Sequence, residues 1–134
     1  MRRVRALFAV LALLLAVACA DDSTGTGGPP HAGTLIVRLT TTHSDDGAVL
    51  LELSGPPIDS AVALNASLQL FTRRANDSTI VAAVVGVVAN GAVVTLRVPD
   101  VGAAAAYSAR VVEVADRQNV LRASLTGYAL TVGP

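Results

Sequence analysis

From Gly33 to the C-terminus, apolar residues recur at every second position in one short run after another. That period of two is the signature of half-buried strands, and it leaves little room for helix. Thr34–Thr41 puts Leu35, Val37 and Leu39 on one face and Thr34, Ile36, Arg38 and Thr40 on the other. Ala48–Ser54 repeats the pattern, with Val49, Leu51 and Leu53 inward and Glu52 outward, until Gly55-Pro56-Pro57 breaks the run. Ile58–Leu64 and Ser67–Arg73 are shorter runs on either side of Asn65. Ser78–Val88 is long and almost wholly apolar, and Asn90-Gly91 follows it. Asn-Gly supplies the positive φ of a two-residue turn, so a hairpin is expected there. Ala92–Val98 then returns with Val94, Leu96 and Val98 on one face, before Pro99-Asp100. Tyr107–Ala115 and Val120–Val132 complete the set, with Gly127 as an expected bulge and Ala103–Ala106 as one helical turn.

Seven or eight short strands separated by turn residues predict an all-β fold of two packed antiparallel sheets, with a closed barrel as the alternative. The pattern suits an immunoglobulin-like sandwich of about 100 residues. With one cysteine and no tryptophan, the Cys…Trp…Cys spacing of antibody domains is missing. The strand pattern and the Leu53-Ser54-Gly55-Pro56 turn resemble cohesin-like and other extracellular sandwich modules of bacteria. Such a likeness implies a fold and carries no function.

The N-terminal part is of another kind. Met1-Arg2-Arg3-Val4-Arg5 is basic, and Ala6–Ala18 is an uncharged apolar run of thirteen residues. A membrane-spanning helix needs about 20 such residues, whereas the core of an export signal needs fewer. Ala16-Val17-Ala18-Cys19 resembles the lipobox of bacterial lipoproteins, with Ala16 where leucine is most common. That resemblance implies cleavage before Cys19, acylation of its thiol, and anchorage in a membrane. The alternative is ordinary secretion, with cleavage after Ala18 or Ala20. Ala20, rather than aspartate, directly follows Cys19, which by Gram-negative sorting rules implies the outer membrane. Each buried methylene contributes about 0.8 kcal/mol, so two or more acyl chains hold a protein firmly. The expected organisation is a signal peptide over 1–18, a lipidated Cys19 with a flexible Gly/Ser/Thr/Pro tether over 19–33, and a β-sandwich over 34–134.

Charge narrows the partners. The net charge is zero, but three arginines precede Cys19; from Cys19 onward seven arginines face ten acids. The chain has no lysine, and Arg73-Arg74 is its one basic pair after the leader. Nucleic-acid binding needs basic side chains in number, so none is expected.

Ile80–Val88 is apolar on both faces, although a two-layer sandwich buries only one. The face containing Ile80, Ala82, Val84 and Val88 is therefore read as an outward strip for a protein partner. Burial by a loop, or simple tolerance of small apolar residues on a surface, would produce the same sequence. Asp45, Asp46, Asp77 and Asp100 fall in turns. If the loops after the first, third and fifth of seven strands share one end, these acids converge, and their oxygens suit Ca²⁺. Aspartate is also favoured in turns for backbone reasons, and neither a bound metal nor a cofactor is expected. His43-Ser44-Asp45 are neighbours in sequence, which does not build a catalytic triad, and Glu52 and Glu113 are expected to face solvent. Tyr128 alternates with Leu130 and Val132 and is read as core. With Phe71, Tyr107 and Tyr128 as the only aromatics after the leader, a glycan-stacking platform is thin. The resulting expectation is a non-enzymatic, membrane-anchored envelope lipoprotein that binds a partner. The alternatives are a structural spacer of the envelope and a glycan-binding accessory domain.

Overall fold

The computed structural model describes residues 28–134, all of them in an all-β architecture apart from loops and one 3₁₀ helix. The expected signal peptide over 1–18, Cys19 and the expected tether as far as residue 27 lie outside the described residues. The eight strands are β1 (Gly33–Thr40), β2 (Asp46–Ser54), β3 (Ser60–Ala63), β4 (Leu68–Asn76), β5 (Thr79–Val88), β6 (Gly91–Val98), β7 (Ser108–Asp116) and β8 (Ala129–Gly133). They form two four-stranded antiparallel sheets: sheet I in the order β3-β6-β1-β8 and sheet II in the order β4-β5-β2-β7. Among the described residues no helix is long and apolar enough to cross a membrane.

The core lies where the alternation places it. Sheet I contributes Leu35, Val37, Leu39, Val94, Leu96 and Val98; sheet II contributes Val49, Leu51, Leu53, Ile80, Ala82 and Val84. All twelve are at most 4% exposed, so each sheet buries one face against the other. Burying such side chains is the main favourable term in folding, at roughly 1.5–3 kcal/mol each.

Three sequence expectations are corrected. Asn90-Gly91 does not close a hairpin, because β5 belongs to sheet II and β6 to sheet I. The dipeptide sets local turn geometry but not the sheet that the next strand joins. Asn90 instead secures a neighbouring crossing: its Oδ1 accepts the backbone N–H of Thr41. The one connection between sequential, paired strands is β4–β5, turning at Asp77-Ser78. Second, Val120–Val132 is mostly loop, with a single bridge from Leu121 to Ala115 before β8 begins at Ala129. Gly127 lies in that loop at φ +87° and bulges no strand. Third, the tether expected up to residue 33 ends earlier. Gly33 opens β1, and His31 is tied to the β6–β7 corner: Val101 N–H donates to the His31 carbonyl at 2.8 Å, and His31 N–H to Asp100 Oδ1 at 3.2 Å.

Gly86 shows why one strand position must lack a side chain. It sits at φ +141°, and a Cβ there would lie 2.5 Å from the Ser67 carbonyl oxygen. The β3–β4 turn therefore packs directly on the β5 backbone.

Candidate interaction surface

The strip expected to face outward faces inward. Ile80, Ala82, Val84 and Val88 are buried in the core, at 4% exposure or less. Both faces of β5 are apolar, so composition could not choose between them; pairing does. Ile80, Ala82 and Val84 lie opposite Leu53, Leu51 and Val49, all of which point inward, while Val81 lies opposite Glu52. The outward residues of β5 are thus Val81, Ala83, Val85 and Val87.

Cross-strand register builds these residues into rows on the outer face of sheet II. Phe71, Ala83, Leu50 and Glu113 form one row; Gln69, Val85, Ala48 and Ala115 form the next. A third row holds Arg73, Val81, Glu52 and Arg110. Phe71 is 60% exposed, Val87 62% and Val85 37%. Leu50, Val81, Ala83, Phe71, Thr72 and Arg73 line a shallow depression of about 350 Å³. A smaller one, against Leu50, Ala83, Glu113 and Ala115, is bordered by Leu121, which is 62% exposed.

The polar boundary of this face is an ion pair. Arg110 donates to Glu52 from Nε at 3.0 Å and from Nη2 at 2.8 Å. That bidentate contact holds the Glu52 carboxyl below its ordinary range, against the opposing effect of partial burial. Glu52 is thus only half exposed and paired, while Glu113 is exposed as expected.

The aspartates do not converge. Asp46 pairs with Val88 and Asp116 at one end of sheet II, and Asp45 precedes it. Asp77 lies at the other end, in the turn beside the Ser54–Thr79 pair, and Asp100 follows Val98 beside Gly33. The four-residue β3 is the reason: it adds one strand before Asp77 and shifts the parity of every later loop. Asp100 caps the 3₁₀ helix Val101–Ala106 by accepting the Gly102 N–H. Among the described residues no group of three His, Cys, Asp or Glu side chains is placed to hold a metal.

Asp46 instead centres a cluster that sequence reasoning missed. A bulge between Asp46 and Ala48 turns the fully buried Asp46 side chain inward, to the side of Val88. Arg122 donates to Asp46 Oδ1 from Nε at 3.1 Å and from Nη2 at 2.8 Å, and also reaches Asp45. The Tyr128 hydroxyl lies 2.8 and 2.9 Å from the two Asp46 oxygens, and Thr41 Oγ1 lies 3.4 Å from Oδ2. His43 stacks on Tyr128 with ring centroids 5.3 Å apart. Tyr128, expected as core, therefore packs against the core with its ring and binds Asp46 with its hydroxyl.

Arg122 holds the Asp45 carboxyl below its ordinary range, and the two aspartates raise the Arg122 guanidinium above its own. Burial first, then Asp46, pushes the Tyr128 hydroxyl upward. Arg122 and Tyr128 lie 76 and 82 residues from Asp46 along the chain, so no local motif announces them. The cluster clamps the β7–β8 segment and the β1–β2 loop to the start of β2. No buried side-chain nitrogen or oxygen among the described residues is left without a hydrogen-bond partner.

Tyr107 is likewise consumed by structure. Its ring is buried, its hydroxyl donates to the Pro57 carbonyl at 3.0 Å, and burial, with Asp100 and Asp59, raises its pKa. Phe71 remains as the exposed aromatic of sheet II. No family model, curated protein or solved structure matches this chain.

Proposed function

We propose that this chain is an envelope lipoprotein, acylated at Cys19, whose sandwich binds a protein partner without catalysing a reaction. The observation that carries the binding reading is the apolar outer face of sheet II, from Ala48 and Leu50 through Val81, Ala83, Val85 and Val87 to Phe71. Both sheets already bury a full inner face, so folding does not require this second apolar layer. The basic start, the short apolar run and the single cysteine at its end support export and lipidation. Ala20 supports the outer membrane over the inner. The glycan reading has less behind it, because Tyr107 is buried and Phe71 is the lone exposed ring near the depression.

We read the fold as immunoglobulin-like with two strands exchanged. If β2 to β6 stand for the second to sixth strands of that fold, β4-β5-β2 and β3-β6 follow its order. β1 then lies beside β6, where the last strand is usual, and β7 beside β2, where the first is usual.

Two experiments test the proposal. Metabolic labelling with a fatty acid should mark the wild-type chain and not Cys19→Ser; equal labelling of both defeats the anchor. Replacing exposed Val85 with lysine should leave the fold intact and abolish co-purification of the partner from envelope membranes. Retention of the partner by Val85→Lys defeats the binding face.

A further inference from the structure

We propose that the free edge of β4 seats an extended acidic segment of the partner protein, added to sheet II as a further strand. This inference rests on sheet II being the binding face and names the chemistry of what binds it. β4 is nine residues long and among the described residues pairs only with β5, so no described strand lies along its other edge. Such an edge presents backbone donors and acceptors as a template for another strand. Every residue from Phe71 to Ser78 is exposed, so this stretch is open to solvent apart from the Arg74 side chain, which reaches the β2–β3 loop.

Side chains supply the selectivity. Phe71, Thr72 and Arg73 line the depression on the β4 side, and Leu50, Val81 and Ala83 complete it. Alternate side chains of an added strand stand on that same face. One apolar side chain would reach the depression, and a neighbouring carboxylate would meet Arg73. Arg73 makes no ion pair among the described residues, and Arg74 donates to the Ile58 carbonyl at 2.7 Å without neutralising its charge. The Arg73 charge argues against a second copy of this chain. Pairing β4 with β4 would bring two Arg73 guanidinium groups onto the same outer face, and like charges across a strand pair destabilise it. An acidic strand gains from Arg73 through charge-assisted hydrogen bonds.

The test uses the full chain in detergent and a short probe peptide in which glutamate and valine stand two residues apart with threonine between them, so that both share one face, and the same peptide with lysine in place of glutamate as control. The glutamate peptide should bind saturably, weaken with salt, and slow amide exchange across residues 68–76. The lysine peptide should not bind. Arg73→Glu should lose about tenfold or more in affinity for the glutamate peptide, as expected for about 1.4 kcal/mol of lost attraction. It should also begin to bind the lysine peptide. Arg73 is exposed, and an unchanged melting temperature verifies that the variant folds. Absence of binding, equal binding to the charge-reversed variant, protection away from β4, or concentration-dependent self-pairing of β4 overturns the inference. If the glutamate peptide fails while Val85→Lys still loses its partner, the acidic-strand inference falls and the binding face stands. If Val85→Lys keeps its partner, the binding face itself falls.

Discussion

The two outer faces of the sandwich obey the same alternation and end in opposite characters. On sheet I the outward positions of β1 and β6 are Thr34, Ile36, Arg38, Thr40, Ala92, Thr95 and Arg97. On sheet II the outward positions of β2 and β5 are Ala48, Leu50, Glu52, Ser54, Thr79, Val81, Ala83, Val85 and Val87. The inner faces, by contrast, are close to equivalent, each a wall of buried Leu, Val, Ile or Ala. The difference teaches that burial within the sandwich explains the inner residues of both sheets but only the outer residues of one. Threonine and arginine on sheet I are what a solvated strand face needs. The apolar outer face of sheet II has no such account from folding and is the natural place to look for function.

The largest expected effect separates the two sides of β5. Val84→Lys buries an unpaired charge in the core and should cost about 4 kcal/mol or more. Val85→Lys, one residue away and outward, should stay within about 0.5 kcal/mol of wild type. Urea unfolding of the pair measures both; equal losses would mean that the two faces of β5 are not inner and outer.

Next comes the clamp at the end of the sandwich. Asp46→Ala leaves Arg122, whose side chain is 19% exposed, without its main partner. Arg122 keeps Asp45, so the cost is that of lost hydrogen bonds to a buried carboxylate, about 1–3 kcal/mol. Amide exchange should accelerate over residues 117–128, while β1 and β6 of sheet I stay protected. Uniform acceleration would show that the cluster supports the whole fold and not that one segment.

The ion pair bordering the apolar face should matter least by mutation. Glu52→Gln should change stability little, because exposed pairs gain little over their solvated parts. Denaturant midpoints at low and high salt check this; a larger loss would make Glu52–Arg110 a structural element of sheet II.

Stability should also depend on pH at both extremes. Asp45 and Glu52 have folded pKa values below their unfolded ones. Their contribution is present above the ordinary carboxylate range and is lost as pH falls through the lowered values. Tyr107 and Tyr128 have raised folded values. Their contribution is present below about pH 10 and is lost as pH climbs through the raised values. Melting temperature against pH should fall at both ends, and Asp45→Asn should flatten the acid limb.

Much of this architecture was legible in the chain. Leu35, Val37 and Leu39, then Val49, Leu51 and Leu53, then Val94, Leu96 and Val98 declared their inward faces because polar residues stood between them. Ile80–Val88 offered no such contrast. The signal that resolves it is Glu52 opposite Val81, which requires knowing the β2–β5 register. The acidic loops were misplaced for the same kind of reason: counting strands without β3 reverses the end at which Asp77 and Asp100 emerge. The Asp46 cluster was illegible because a bulge sets its direction and its partners come from the far end of the chain.

The central claim is that the outer face of sheet II, and not that of sheet I, meets a partner protein. A photo-reactive amino acid placed at Val85 or at Thr95 in living cells tests it most directly. The account predicts one discrete cross-linked protein from Val85 and none from Thr95. No adduct from Val85, or the same adduct from both positions, would contradict it.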